Sequence, residues 1–405
     1  MSDTFREVTR TSWGGRIARS FGGLIVGLLL VVLVPIGLFW NEGRAVTTER
    51  SLTEGAAAVV SVASEAVDPA NEGKLVHLSG DIRTGETLAD GDFGISAQGV
   101  RLVRQVEMYQ WREEQESETE TQLGGGEETV TTYTYSRGWS DEPIDSADFR
   151  QPGGHANPSM EIRGRSFQVE QATLGAFTLD KQVLDVVGGE ERLEVKREQI
   201  EAINQALGGS RSALVSDGRI FLGRDPAAPQ VGDYRIAYEL VPLGPASLIA
   251  KQAGSGFDAY QTAAGDALLM VERGTVSAEK MFADAQTMNV IVTWVLRVVG
   301  VVVLAIGFGL VLAPLGVVAD VVPFVGSLVR FGTGLAAMLL AVLTGTTTIA
   351  LAWMWHRPVF ALGVLAVGVA VAALIAALGR RRAGKSGGAK PDAAAWGRTA
   401  GPSPA

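Results

Sequence analysis

The sequence predicts a multi-pass α-helical membrane protein: four transmembrane helices, with a large extracytoplasmic α+β domain inserted between the first and second spans. Three observations carry this reading. Much of the apolar content is gathered into four blocks instead of being spread at the period of a helix or a strand. Charge is sorted along the chain: residues 1–40 hold four Arg against two acids, and 289–405 hold nine Lys/Arg against two. The remaining 41–288 therefore carry 22 basic and 40 acidic residues, a net of −18 within a total of −9. Finally, basic residues flank the first and last blocks, as expected of membrane spans read by the positive-inside rule.

The first block, 21–40, is twenty residues without a charge. At about 1.5 Å of rise per residue this covers the roughly 30 Å hydrocarbon core. Arg6, Arg10, Arg16 and Arg19 precede it, and Trp40 ends it, where an indole suits the interface. The run is long for a signal peptide, and Asn41-Glu42-Gly43-Arg44 follows in place of a small-x-small cleavage site. An uncleaved anchor is the expectation, kinked at Pro35. The other blocks are 290–312, 332–355 and 359–378. Arg380, Arg381, Arg382 and Lys385 follow the last, so both ends are expected in the cytoplasm, with 41–288 outside and 379–405 as a disordered basic tail.

Between the second and third blocks, 313–331 is apolar but interrupted by Pro314, Asp320, Pro323 and Arg330. It reads as a helix-turn-helix at the cytoplasmic interface, since a lipid-exposed broken helix would leave backbone groups unpaired. Small residues suggest helix packing: Gly23 with Gly27, Ala305 with Gly309, Ala366/Ala370 with Gly368/Ala372, and Gly332 with Gly334. Arg297 is the ionisable residue deep in a span. It is expected to reach outward toward Asp284 or Glu42 as a structural anchor.

In the outer domain, 56–64 and 74–83 are β-rich, 100–111 and 128–136 read as two hairpin arms, and 235–241 alternates as a half-buried strand. Residues 113–128 hold seven Glu without calcium-loop spacing and read as a solvated tip. Val195, Ile200, Ile203 and Leu207 predict an amphipathic helix over 194–207. Glu72–Val76 echoes Asp217–Phe221, and Gly91–Ile95 echoes Gly232–Ile236. Two related β-modules or a coincidence of turn motifs would each account for this.

Chemistry is sparse. The chain has no Cys, and its three histidines, His77, His155 and His356, share no metal-binding spacing. Gly254-Ser255-Gly256 is not a nucleophile elbow, and the Gly-rich run at 124–126 lacks a phosphate-binding Lys. No catalytic residue, metal ligand or cofactor is expected. The acidic middle argues against nucleic acid as a partner.

The residues around the membrane boundary carry a resemblance. Trp40-Asn41-Glu42-Gly43-Arg44-Ala45-Val46 with Glu54-Gly55, the Ser277–Phe282 stretch, Trp294/Arg297/Gly300, Gly307-Phe308, Pro314-Leu315 and Ala319-Asp320 through Gly326 resemble the transmembrane protein 43 (LUMA) family. So does Gly332-Thr333-Gly334-Leu335. The resemblance implies a self-associating organiser of membrane protein complexes in the endoplasmic reticulum and inner nuclear membrane, with emerin and lamins among the family's partners. The Ala/Gly/Val/Arg bias suits a bacterial member, for which the inner membrane and a periplasmic domain are expected. A homo-oligomeric, non-enzymatic scaffold in contact with membrane lipid and other membrane proteins is the function expected. The alternative is a channel or lipid/solute conduit lined by Arg297 and Thr344–Thr348. Asn41–Arg44 are expected to mark where the first helix breaks at Gly43, and Asp320 with Pro314 and Pro323 to shape the inner turn.

Overall fold

A computed structural model describes residues 3–208 and 212–358. Its frame is three long helices: α1 (Trp13–Ala58), α2 (Ala278–Ala319) and α3 (Pro323–His356). Each contains an 18-residue window apolar enough to cross a bilayer. The four-span expectation is thereby corrected. Among the described residues there are three membrane-length helices, one N-terminal and two C-terminal, with a large sheet-rich domain between them. The fourth block, 359–378, and the 379–405 tail lie outside the described residues.

Hydropathy also misjudged the helix ends. Ser12 caps α1 and Ser277 caps α2, each side chain accepting a backbone N–H of the first turn. From there α1 runs unbroken through Pro35 and Gly43 to Ala58, so Gly43 does not end the first helix and only Val60–Ser61 of the expected 56–64 stretch forms a strand. Likewise α2 runs through Pro314 to Ala319, and Pro323 opens α3 at its first turn, leaving only 320–322 as the link. The 313–331 segment is two helix ends and a tight turn.

The sheet domain is built on six longer strands: β1 (Asp3–Thr11), which joins it from before α1, and, between α1 and α2, β2 (Leu75–Arg83), β3 (Gly99–Thr121), β4 (Glu127–Ser140), β6 (Tyr234–Pro242) and β7 (Gly244–Ala253), with shorter ones including β5 (Arg219–Leu222). An eight-stranded sheet has the path β1-β4-β3-β6-β5, continued by Ala213–Ser216. A seven-stranded sheet centres on the antiparallel pair β2 and β7. One apolar core draws on both, with Val76, Leu78 and Ile82 from β2, Leu102, Val106 and Met108 from β3, Ile236 and Tyr238 from β6, and Leu248 and Ala250 from β7. Helix is minor here. The amphipathic pattern of 194–207 yields a 3₁₀ turn and a short helix, Ile200–Ala206, with Ile203 fully buried. The two echoing stretches lead into different sheets: Gly73 precedes β2 of the seven-stranded sheet, whereas Asp217-Gly218 precedes β5 of the other. At the first echo both Gly73 and Gly218 take positive φ, a shared turn chemistry; at the second Gly232 does and Gly91 does not.

The hairpin β3–β4 is far longer than its expected arms. Alternation of Glu with Gln, Ser and Thr over 113–121 keeps a strand period, so the ladder continues to Thr121↔Glu127. At roughly 3.3 Å per residue, the 23 residues of β3 measure about 76 Å. The 46 residues of α1 measure about 69 Å. The two reach the same distal end. There β1 pairs with β4, the Trp13 indole donates to the Val317 carbonyl at 2.9 Å, and Gly124 N–H donates to the Val321 carbonyl at 3.2 Å. The glycine turn of the hairpin is therefore docked, while the acidic residues from Glu114 to Glu120 stay exposed to solvent. These contacts join 1–20, the tip and the 313–331 turn, which the charge pattern put on opposite sides of a bilayer. The reason is visible at Arg16: counted as a free flanking charge, it is buried against Asp320 at 2.5 Å and Glu127 at 2.7 Å.

At the other end, Leu52 of α1 and Met281 and Phe282 of α2 pack with Leu75 of β2 and Ile249 of β7. A Cβ on Gly55 would lie 2.4 Å from Leu268 and 2.9 Å from Phe282, so only glycine admits this approach. Within the bundle, Leu38, Leu304 and Ala341 form the small core. The expected packing glycines divide. Gly23 and Gly27 face α2, a Cβ on Gly27 lying 2.6 Å from the Gly307 carbonyl oxygen, and Ala305 packs on the bundle core. Gly309, Gly332 and Gly334 face open space. Gly27→Ala is expected to cost about 1–3 kcal/mol, because a backbone atom must move. Gly309→Ala should leave stability unchanged. Thermal unfolding in detergent checks both.

Candidate membrane-boundary site

Part of the resemblance, Asn41, Glu42 and Arg44 with Trp294 and Arg297, converges with residues it did not include where the three helices leave their apolar windows. Asn41, Glu42 and Arg44 lie on α1, Asn289, Thr293, Trp294 and Arg297 on α2, and Trp353, His356 and Arg357 at the end of α3. Helical spacing makes this convergence: 41 and 44, 293 and 297, and 353 and 356 are three or four apart and share a face. Glu42 is 2% exposed. It takes a two-pronged contact from Arg297, Nε to Oε1 at 2.6 Å and the second guanidinium nitrogen to Oε2 at 2.7 Å, and a hydrogen bond from the Trp353 indole at 2.9 Å. The Arg297 guanidinium lies over Trp294 at 4.7 Å and Trp353 at 5.7 Å. Carboxylate and aromatic faces together hold one cation where water is scarce. Asp284, the other partner considered for Arg297, accepts from Lys280 at 2.6 Å.

Beside this pair runs a polar seam. The Asn41 amide donates to the Thr293 carbonyl at 3.3 Å, and Arg44 donates to Asn289 Oδ1 and Thr293 Oγ1, each at 3.0 Å. Gly43 has a packing role: a Cβ there would lie 2.9 Å from the His356 ring, which also meets Phe39 at 5.3 Å between centroids. Arg50 donates to the His356 carbonyl and Arg357 pairs with Glu49, tying α3 to α1. A cavity of about 150 Å³ lies among Glu42, Thr293, Trp294, Arg297, Trp353 and Arg357. Trp40 is exposed.

The other sequence-selected residues form a second cluster. Asp320 is fully buried and holds both Arg16 and Arg330, its carboxylate lying over Gly326, where a Cβ would be 1.7 Å from Oδ1. A third cluster, in the sheet domain, escaped sequence reading. Asp90 receives Arg104 at 2.8 and 2.9 Å and the Tyr238 hydroxyl at 2.7 Å, while Asp92 receives the same Arg104 nitrogen at 2.9 Å. Burial, reinforced by the hydrogen bond to Asp90, pushes the Tyr238 hydroxyl far up, and burial with a Glu113 partner pushes Tyr135 up to about 12. Arg104 also borders a polar cavity of about 660 Å³ with Glu107 and Arg235, but those two pair with each other.

The histidines stay apart. His77 bonds the Val276 carbonyl at 2.9 Å, His155 stacks on Tyr135 with ring centroids 4.1 Å apart, and His356 lies at the boundary. Among the described residues no group of three His, Asp or Glu is placed to hold a metal ion. Of the residues considered for a conduit, Arg297 is occupied by Glu42, and Thr346 and Thr348 bond back to carbonyls of their own helix. Trp353 and His356 were invisible as partners of α1, because nothing in a hydrophobic block announces which neighbour its indole will meet.

The profile of the transmembrane protein 43 family matches residues 108–358, from within β3 to two residues past α3. The chain is 33% identical to the human transmembrane protein 43 over 375 residues, covering 89% of this chain and 91% of that protein. It is 33% identical to the mouse protein over 367 residues, covering 87% and 89%, and 31% identical to the Drosophila melanogaster homologue over 354 residues, covering 85% and 91%. The chain belongs to the transmembrane protein 43 family. The family and the apolar helices together make it an integral membrane protein. No solved structure matches it significantly. In this family member, the boundary residues that carried the resemblance are a network of buried pairs linking all three helices.

Proposed function

We propose that the protein is a non-enzymatic membrane scaffold that self-associates and organises other membrane proteins around it. The observation that carries this reading is the bracing of helices to sheets at both ends. The Leu52–Phe282 cluster and the Arg16–Glu127 pair join α1 and α2 to the sheets, and the Glu42–Arg297 and Asp320–Arg330 pairs tie the helices to one another, so a partner held by one part is held in fixed relation to the rest. Gly309 on α2 and Gly332 and Gly334 on α3, at similar distances along their helices from the 320–322 turn, leave small-residue surface outside the intramolecular packing. In lipid, helices associate by close approach at such residues. A second copy is the first partner expected, other membrane proteins the next, and nucleic acid and cofactors are not expected. The membrane is the inner membrane of a bacterium, or the endoplasmic reticulum and inner nuclear membrane of a eukaryote, which fractionation with a tagged chain decides. Particle mass in nanodiscs tests self-association: oligomers are expected at working concentrations, and Gly334→Leu should shift them toward monomer. Particles that stay monomeric at every concentration, with no co-purifying protein, would sink the reading.

A further inference from the structure

A shallow groove of about 320 Å³ runs along the seam between α1 and α2, ending at Trp40 and Asn41. Its walls are Val34, Gly37 and Leu38 from α1 and Leu296, Val299 and Val303 from α2. Gly37 lines the groove and has no neighbour within 4 Å of its Cβ position, so that part of the wall is open. At about 30 Å³ for a water-sized group, the volume takes about ten such groups, a good part of one acyl chain. One turn beyond Asn41 on the same face lies Arg44. Its side-chain partners are all neutral: Asn289, Thr293 and, at 3.4 Å, Asn41 itself. Its Nε has no hydrogen-bond partner, and no carboxylate bonds it among the described residues. The nearby charges are spent elsewhere, Glu42 on Arg297 and Glu49 on Arg357. An apolar slot thus leads to an uncancelled, half-buried cation beside Trp40, an indole 66% exposed, at the level where headgroups begin.

We propose that this seam binds one anionic phospholipid, its acyl chain in the groove and its phosphate on Arg44. A neutral lipid would fill the slot and leave the guanidinium uncompensated. A helix of a second copy would cover the slot without meeting the charge.

Native mass spectrometry of the full chain in detergent, titrated with phosphatidylglycerol or with phosphatidylcholine of the same acyl chains, tests the assignment. The expected result is one retained phosphatidylglycerol, favoured over phosphatidylcholine by about fivefold, the ratio that one basic residue near an anionic lipid surface supplies. Arg44→Gln should bring that ratio to about one, and Arg44→Lys should keep it. Val299→Trp, which fills the groove, should lower retention of both lipids. Val295→Trp, on the same helix but outside the groove, should change neither. Equal retention of the two lipids by the unaltered chain overturns the proposal. So does a preference that survives Arg44→Gln, or retention indifferent to Val299→Trp. Should Arg44→Gln not fold, the Arg44→Lys and Val299→Trp pair decides alone. Cross-links from Val299 to a second copy, without lipid adducts, would assign the groove to self-association instead.

Discussion

Arg297→Leu should destabilise the protein by about 3–5 kcal/mol, because it leaves Glu42 buried and unpaired. The carboxylate is 2% exposed, and after the substitution only the Trp353 indole would bond it. Glu42→Leu should cost a similar amount by stranding the guanidinium, softened by the faces of Trp294 and Trp353. The double variant Glu42→Leu/Arg297→Leu should recover most of the loss, since a buried ion pair replaced by apolar groups of similar volume is often close to neutral. Chemical unfolding in detergent of the four chains forms a complete cycle. Single variants within 1 kcal/mol of the parent would show that water reaches the pair and that its role is only local. A double variant as unstable as the worse single would show that the helices depend on the charges themselves.

The second large effect is expected in the sheet domain. Arg104→Met should cost about 3–5 kcal/mol by leaving Asp90, whose side chain is fully buried, with the Tyr238 hydroxyl as its remaining side-chain partner. Tyr238→Phe removes one hydrogen bond to a charged group and should cost about 1.5–3 kcal/mol. Asp90→Asn should fall between, because an amide still accepts from Tyr238 but offers Arg104 no charge. The sheet domain's own unfolding transition, followed by circular dichroism, reads all three. The ordering Arg104→Met, Asp90→Asn, Tyr238→Phe is the discriminating result: equal effects would mean that the cluster is held by packing and not by charge.

Several elements were legible because their physics is local. Strand alternation over 235–241 appears as β6, with Ile236 and Tyr238 buried, since period-two patterning decides which face meets a core. Within the boundary motif Asn41, Glu42, Arg44 and Arg297 lie together whereas Asp320 lies at the other end of the helices, and nothing in the motif says that Glu42 meets Trp353 on a third helix. Lengths were less legible. Helices stop where capping and docking stop them, not where hydropathy falls, so α1 exceeds its apolar block at both ends. In the Glu-rich stretch 113–121 composition suggests a tip while period suggests a strand; beyond Met108 this part of β3 pairs only with β4, and alternating Glu along its open side is compatible with the ladder and discourages pairing with other chains.

The residues alone determined that this chain enters a membrane, because the free energy of moving some twenty apolar side chains into lipid is nearly a property of the segment itself. They likewise determined that a large acidic domain separates the apolar segments. Tertiary structure decided the rest: the joining of hairpin tip, N-terminus and helix turn, and the pairing of Arg16 with Asp320 and of Glu42 with Arg297 across 304 and 255 residues. A lone charge in a linear pattern looks the same whether water or a distant counter-ion will hold it. Only the surfaces that meet on folding choose between them.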